Sequence, residues 1–405
     1  MAHPTTLAFV LAGGKGERLF PLTAMRSKPS VPFGGRYRIV DFALSNMINS
    51  RIYSIYLLVQ YKSQSLIEHV RHNWVLSSVM REHFVAVVPP QMRMGPEWFQ
   101  GTADAVFQNL NFINQMNPEL VIIFGADHIY RMDIRQMIDF HLEKKADITV
   151  AARPVPIKEA SSFGVIVADS DHRIATFQEK PKEPIPMAGD PERAFVSMGN
   201  YIFGRDFLVR ALVEAQAKRH HDFGTHILPA SLDKGRVFAY DFSSNVIPDI
   251  KPYEETGYWR DVGTIKSYYD ANMDMLGLEP GFDPMSSLWP IHPAFSEVAA
   301  TKIISGEIVN SVIADGCLID GAAIRNSVVR SGVRIEKGAT IDNCIIMDNC
   351  VIRKGAKLKN AIVDKQNLIE QNETIGYDPR KDMFRCHIDS SGIAILPKQG
   401  RKEMI

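Results

Sequence analysis

The chain has 405 residues, enough for two domains each with its own core, and its 45% apolar and 23% charged residues are those of an ordinary globular protein. Lys plus Arg and Asp plus Glu both number 46, so the net charge is zero. This excludes long-range attraction to nucleic acid or an anionic membrane and leaves phosphate binding to local clusters.

The first predicted element is a strand over 7–11, a short apolar run of the kind buried on both faces. Gly13, Gly14 and Gly16 follow at once, and Lys15, Arg18, Arg26 and Lys28 place four cations within fourteen residues, opposed only by Glu17. Glycine turns that expose N–H groups beside clustered cations suit a nucleoside triphosphate at a sheet edge. A tight turn with solvated charges is the simpler alternative. The spacing matches neither Gly-x-x-x-x-Gly-Lys-Ser/Thr nor Gly-x-Gly-x-x-Gly.

Strands are then predicted over 53–59, 84–88, 120–124 and 148–152, and helices over 42–49 with Asp41 as N-cap, 63–72, 103–114 and 134–144 with Asp133 as N-cap. Such alternation implies a mostly parallel sheet between helices, with ligands at the strand C-termini. Further strands, some antiparallel, are expected over 163–168, 173–177, 194–203 and 237–242, then a helix over 265–276.

Residues 277–299 are rich in turn formers and read as a linker. Beyond them Val312, Leu318 and Ile324 are six apart, as are Ile335 and Ile341, Ile345 and Val351, Ile362 and Leu368, and Ile369 and Ile375. One aliphatic position per six residues marks a β-helix, with one hexapeptide on each side of a triangular coil. The expected fold is therefore α/β. A Rossmann-like, mostly parallel sheet flanked by helices fills 1–276, and a left-handed parallel β-helix fills 300–405, its tail from Asp378 folding back onto the coil. The four cysteines, Cys317, Cys344, Cys350 and Cys386, form no Cys-x-x-Cys pair, residues 1–6 carry no leader pattern, and no apolar run approaches a membrane span. A reducing, cytoplasmic setting is expected.

Several residues carry chemistry. Gln60 ends a predicted strand, where its amide either reads a nucleobase edge or caps the next helix. Gly101 and Thr102 put a turn and a hydroxyl at a helix N-terminus, an end that accepts negative charge or a polar base edge. Asp127 directly follows a buried strand and so lies at the ligand end of the sheet. Lys180 ends another strand as a compact cation suited to a sugar phosphate. His69 and His72 share one helix face and are expected to be solvated; His220 and His221 read as a loop pair.

The strings Leu11-Ala-Gly-Gly-x-Gly-x-Arg-Leu19, Pro21-Leu22-Thr23 and Lys28-Pro29 together resemble the signature of the sugar-1-phosphate nucleotidylyltransferases (pyrophosphorylases). The resemblance runs nearly end to end. It implies that Arg18, Lys28 and Asp127 are catalytic, and that Leu11, Ala12, Gly13 and Gly14 bind the nucleotide with Gln60, Phe99, Gly101 and Thr102. Asp127 and Asp261 would hold Mg²⁺. Glu179 and Lys180 would bind sugar hydroxyls and phosphate, with Gly164, Ser197 and Gly199 beside the sugar. Ala126 stands where many relatives have glycine, and His226 where aspartate is common.

The block from Lys28 to Asn46, the block from Tyr258 to Thr264 and the β-helix resemble the branch that makes ADP-glucose for bacterial glycogen. The implied reaction is ATP plus α-D-glucose 1-phosphate giving ADP-glucose and pyrophosphate. The same resemblance implies a homotetramer, with sugar-phosphate or nucleotide effectors bound between the domains at Arg26, Arg38 and Lys365. Met25, however, occupies an activator-binding lysine position of the enterobacterial members. The alternatives are a UTP- or dTTP-using enzyme of the same family, or a non-catalytic regulatory homologue. Acyl transfer by the β-helix is disfavoured, since residues 300–376 contain no histidine.

Overall fold

A computed structural model describes residues 4–398 apart from 78, 81, 94 and 294–297; the end of the expected tail (399–405) and part of the expected linker (294–297) lie outside the described residues. The apolar run Thr6–Ala12 is a central strand of a nine-stranded sheet. It pairs in parallel with Ser54–Val59 on one side and Leu120–Gly125 on the other, which sets Leu11 opposite both Leu58 and Gly125. Three strands thus end at one level, and the chain leaves each of them at the same edge. Ala8 and Val10 enter one core and Leu7 and Phe9 the other, as the two-residue period of a doubly covered strand requires.

Beyond Leu120–Gly125 the pairing turns antiparallel. Arg193–Gly204 runs against both Leu120–Gly125 and Ile148–Pro156, and Gly164–Ala168 pairs with Ile174–Glu179. Asp133 caps the helix Ile134–Glu143 as expected, its carboxylate accepting from the Arg135 N–H.

Two helix expectations need correction. The helix expected over 103–114 divides into Thr102–Phe107 and Leu110–Met116. The helix expected from residue 42 starts at Ile39, so Asp41 is not its N-cap. Asp41 is buried, accepting from the Arg38 N–H (2.7 Å), His69 Nε2 (2.6 Å) and the Trp74 indole N–H (2.9 Å). His69 is therefore buried rather than solvated, because a fully satisfied carboxylate waits for it inside the core.

The C-terminal region is a parallel β-helix, but its step is not a uniform six. Partners lie 17 residues apart in most turns (Thr340 opposite Lys357) and 16 in the first (Leu318 opposite Arg334). The inward aliphatic positions run Ile324, Val329, Ile335, Ile341, Ile346, Ile352, Leu358, Val363, Ile369 and Ile375, a rhythm of five, six and six. One corner of each coil is a residue short. Ile345 and Ile362, part of the expected six-step series, instead face outward into a core shared with Leu19, Val31, Phe33 and Tyr268 of the first domain. The tail folds back, Ala394–Leu396 pairing with Lys357–Val363. No helix among the described residues is long and apolar enough to cross a membrane.

Candidate active site

A cleft of about 930 Å³ opens where the parallel strands end. Its wall begins with Leu11, Ala12, Gly13 and Gly14 and continues through Arg18 and Lys28. Gly16 adopts φ 64, and a Cβ there would lie 3.0 Å from the Lys28 Cβ, so this turn accepts no side chain without moving the lysine. Arg18 rides on the short 3₁₀ turn Glu17–Leu19 and stays largely exposed, 3.9 Å from the Asp261 carboxylate.

At the floor, a two-stranded ribbon pairs Trp259–Asp261 with His128–Tyr130 and sets Asp261 opposite His128. This register brings together two carboxylates 134 residues apart in sequence (127 and 261). Lys28 Nζ lies 3.0 Å from Asp127 Oδ2 and 2.9 Å from Asp261 Oδ1. Burial works against the ammonium, yet the two carboxylates outweigh it and hold its pKa above the ordinary lysine value. Asp127 is the reverse case. Its burial opposes ionisation, but Lys28 and then His128 hold it well below the usual carboxylate range. His128 Nε2 is 3.6 Å from Asp127 and 4.0 Å from Asp261, while its Nδ1 is buried without a partner. Ligand atoms of these three residues lie within 4.8 Å of one another. Two carboxylates, Asp127 lining the wide cleft and Asp261 beside it, fit Mg²⁺, a hard cation that keeps several waters and binds few protein oxygens.

The wall beyond Gln60 carries the residues expected to meet a base. Gln60 Nε2 donates to the Phe99 carbonyl (3.2 Å), and its Oε1 is buried with no partner. Gly101 and Thr102 line the cleft, but the two amides that follow them do not face it. Ala103 and Asp104 both donate to the His221 carbonyl, and the Thr102 hydroxyl donates to Asp222. Gly101 is needed for this closure, since a Cβ there would sit 2.3 Å from the His221 oxygen.

On the far side Lys180, at φ 46, reaches Glu179 at 2.6 Å. Glu179 lies against two glycines. A Cβ on Gly164 would come 3.2 Å from its Oε2, and one on Gly224 2.5 Å. Gly199 lines the cleft, whereas Gly164 and Ser197 lie beneath it; the Ser197 hydroxyl accepts from the Gly199 N–H. Tyr201, Asp222, Gly224 and His128 also line the cleft and were not singled out as site residues from sequence. The Asp222-Phe223-Gly224 string was the available signal for two of them.

The three expected effector residues separate. Arg26 is buried and its Nη2 donates to both carboxylate oxygens of Asp364 in the β-helix, each at 2.9 Å, and it does not line the cavity of about 330 Å³ that Arg38 and Lys365 share with Arg36, Arg330 and Asp348. Burial lowers Lys365 to about 8, with Arg330 and Arg38 adding to the effect against Asp348. Arg38 falls to about 10 for the same first reason.

Residues 7–277 match the nucleotidyl transferase family and residues 293–396 a family described as GlmU-like, C-terminal hexapeptide. The chain is 64% identical over 399 residues to the glucose-1-phosphate adenylyltransferase of Thermodesulfovibrio yellowstonii, covering 98% of this chain and 97% of that one. It is 47% identical over 408 residues to the protein of the same name from an Anaeromyxobacter species, covering 98% and 99%. With that of Thermus thermophilus it shares 48% over 302 residues, covering 73% and 72%.

Proposed function

We infer that this chain, which belongs to the nucleotidyl transferase family, transfers AMP from ATP to α-D-glucose 1-phosphate, giving ADP-glucose and pyrophosphate for glycogen (α-glucan) synthesis. The observation that carries the reading is one cleft with the Lys28, Asp127 and Asp261 cluster at its floor, Gln60 on one wall and Glu179 with Lys180 on another.

The sugar phosphate, with a second pKa near about 6, is largely dianionic at neutral pH and needs no general base. One of its oxygens bonds to the α-phosphorus of ATP while the bond from that phosphorus to the bridging oxygen breaks. Pyrophosphate leaves with the electron pair. Asp127 and Asp261 would hold Mg²⁺, which when bound supplies positive charge to the triphosphate. Lys28 stays cationic at the floor and Arg18 sits exposed at the mouth, where departing pyrophosphate would pass. Lys180 would hold the nucleophile and Glu179 a sugar hydroxyl, so catalysis is positioning plus electrostatics.

Gln60 supports ATP over UTP and dTTP. Its side chain lines the cleft with the amide nitrogen held by the Phe99 carbonyl, so the oxygen Oε1, buried and unpartnered as it stands, is the atom left to accept from the exocyclic amine of adenine; uracil and thymine offer a carbonyl instead. The basic cavity of Arg38 and Lys365 supports phosphorylated effectors. The exposed Ile303 and Ile304 on the open first strand of the β-helix support burial in a homotetramer. Four buried free thiols support a cytoplasmic setting.

Pyrophosphate release from ATP and glucose 1-phosphate in Mg²⁺ tests the reading. Turnover is expected to be roughly tenfold or more faster with ATP than with UTP or dTTP, the scale of an unpaired buried polar group. Equal turnover with UTP, or no release with any nucleotide, would overturn it.

A further inference from the structure

We propose that Arg330 of the β-helix is a positioning residue for the reaction: it holds the turn that follows Lys28, and through that turn sets the lysine between its carboxylates. Arg330 is 4% exposed. Its Nη1 donates to three carbonyls of one turn, Phe33 (2.9 Å), Gly34 (2.7 Å) and Tyr37 (2.9 Å), while its Nε donates to Asp348 (3.1 Å).

That turn joins the two-residue strands Pro32–Phe33 and Tyr37–Arg38, a ladder too short to hold itself. From the other side the helix Ile265–Met273 grips it, with Asn272 accepting from the Gly34 N–H (2.9 Å) and the Tyr268 hydroxyl donating to the Pro32 carbonyl. This helix starts shortly after Asp261. The turn is tied back to the lysine directly, since Val31 N–H donates to the Lys28 carbonyl (3.0 Å) and Ile39 N–H to the Val31 carbonyl (3.2 Å). Releasing the three carbonyls therefore moves the segment that sets Lys28 Nζ within 3.0 Å of both carboxylates. The β-helix thereby serves the cleft without reaching it.

The kinetic part rests on the nucleotidyl transfer proposed above; the exchange part does not. In the full chain, Arg330→Met is expected to raise amide exchange over residues 33–38 roughly tenfold or more, with the parallel strands of the sheet unchanged. It should lower kcat roughly ten- to hundredfold, the effect of a small misplacement, while both KM values stay within about threefold. Arg330→Lys, which restores a cation and donors, should recover part of both. Exchange at 33–38 that is unchanged in Arg330→Met would overturn the proposal, as would faster exchange with unaltered kcat. If Arg330→Met does not fold, Arg330→Lys and Asp348→Asn are read by the same two criteria. Should the natural protein make no ADP-glucose, the functional reading fails and exchange alone decides for Arg330.

Discussion

Lys28 and Lys180 face the same cleft from surroundings that give them different work. Lys28 is 7% exposed and paired with two carboxylates, whereas the Lys180 side chain is 64% exposed with Glu179 as its neighbour. Removing Lys180 therefore takes away a screened contact to a mobile substrate. Lys180→Ala is expected to raise the KM for glucose 1-phosphate by roughly ten- to hundredfold, with kcat changed only a few-fold, as when ground and transition states lose the same contact. Asp127→Asn leaves Lys28 with one carboxylate and weakens the cation site, so turnover should fall by on the order of a hundredfold or more with that KM little altered. Steady-state kinetics on both variants check the contrast, and an unchanged KM in Lys180→Ala would refute the role assigned to it. The glycines, Asp127 and Lys180 were legible because each follows a predicted strand, whereas Lys28 stood out in a cation cluster and Asp261 through the resemblance to the family. Tyr201 and the capture of Ala103 and Asp104 by the His221 carbonyl were not. Those depend on distant segments meeting, and no local pattern encodes such a meeting.

The helix Ile134–Glu143 shows how an element responds to pH. Its last turn buries His141, whose Nδ1 lies 2.8 Å from the Thr149 hydroxyl on the adjacent strand. Burial, chiefly, lowers its pKa to about 4, with Arg236 adding and Asp147 opposing. The unfolded chain binds this proton below about 6.5 and the folded chain only below about 4, so stability falls as pH drops through that window. The full loss is on the order of 3 kcal/mol. Urea midpoints measured between pH 7 and 4 should fall, and His141→Gln should flatten the fall; an equal fall in the variant would refute this linkage. Elements of this kind were the most legible part of the fold, because period and cap both mark them, as Asp133 does here. The β-helix was legible in kind but not in rhythm. Its five-six-six step leaves outward Ile345 and Ile362 looking like members of the inward series, and only the neighbouring domain explains why they are apolar.

Across the whole molecule, the two domains are joined by a shared apolar core and by cations that the sequence groups together but the structure divides by task. Arg26 spans the interface to Asp364 with both side chains at most 5% exposed, so removing one partner strands a buried charge. That loss costs about 3–5 kcal/mol, and Arg26→Met should lower Tm markedly while leaving anion binding in the basic cavity within about threefold. Lys365 is expected to behave in the opposite way. It lines the cavity with Arg38 and shares Asp348 with Arg330, so Lys365→Met should cost the cavity one cation of several and little stability. Sulfate, whose charge is constant across the range, is the cleaner probe. Its affinity for the natural protein should fall as pH rises from 7 to 9, because the lysine, pushed down to about 8 by burial, loses its proton there. The fall should be absent in Lys365→Met, whose affinity at pH 7 should already be about one to two decades weaker. Calorimetric titration of sulfate at three pH values, with melting curves for each variant, separates the two roles. Binding that weakens equally in Arg26→Met and Lys365→Met, or that is level from pH 7 to 9 in the natural protein, would put both cations in a single cluster and sink the division.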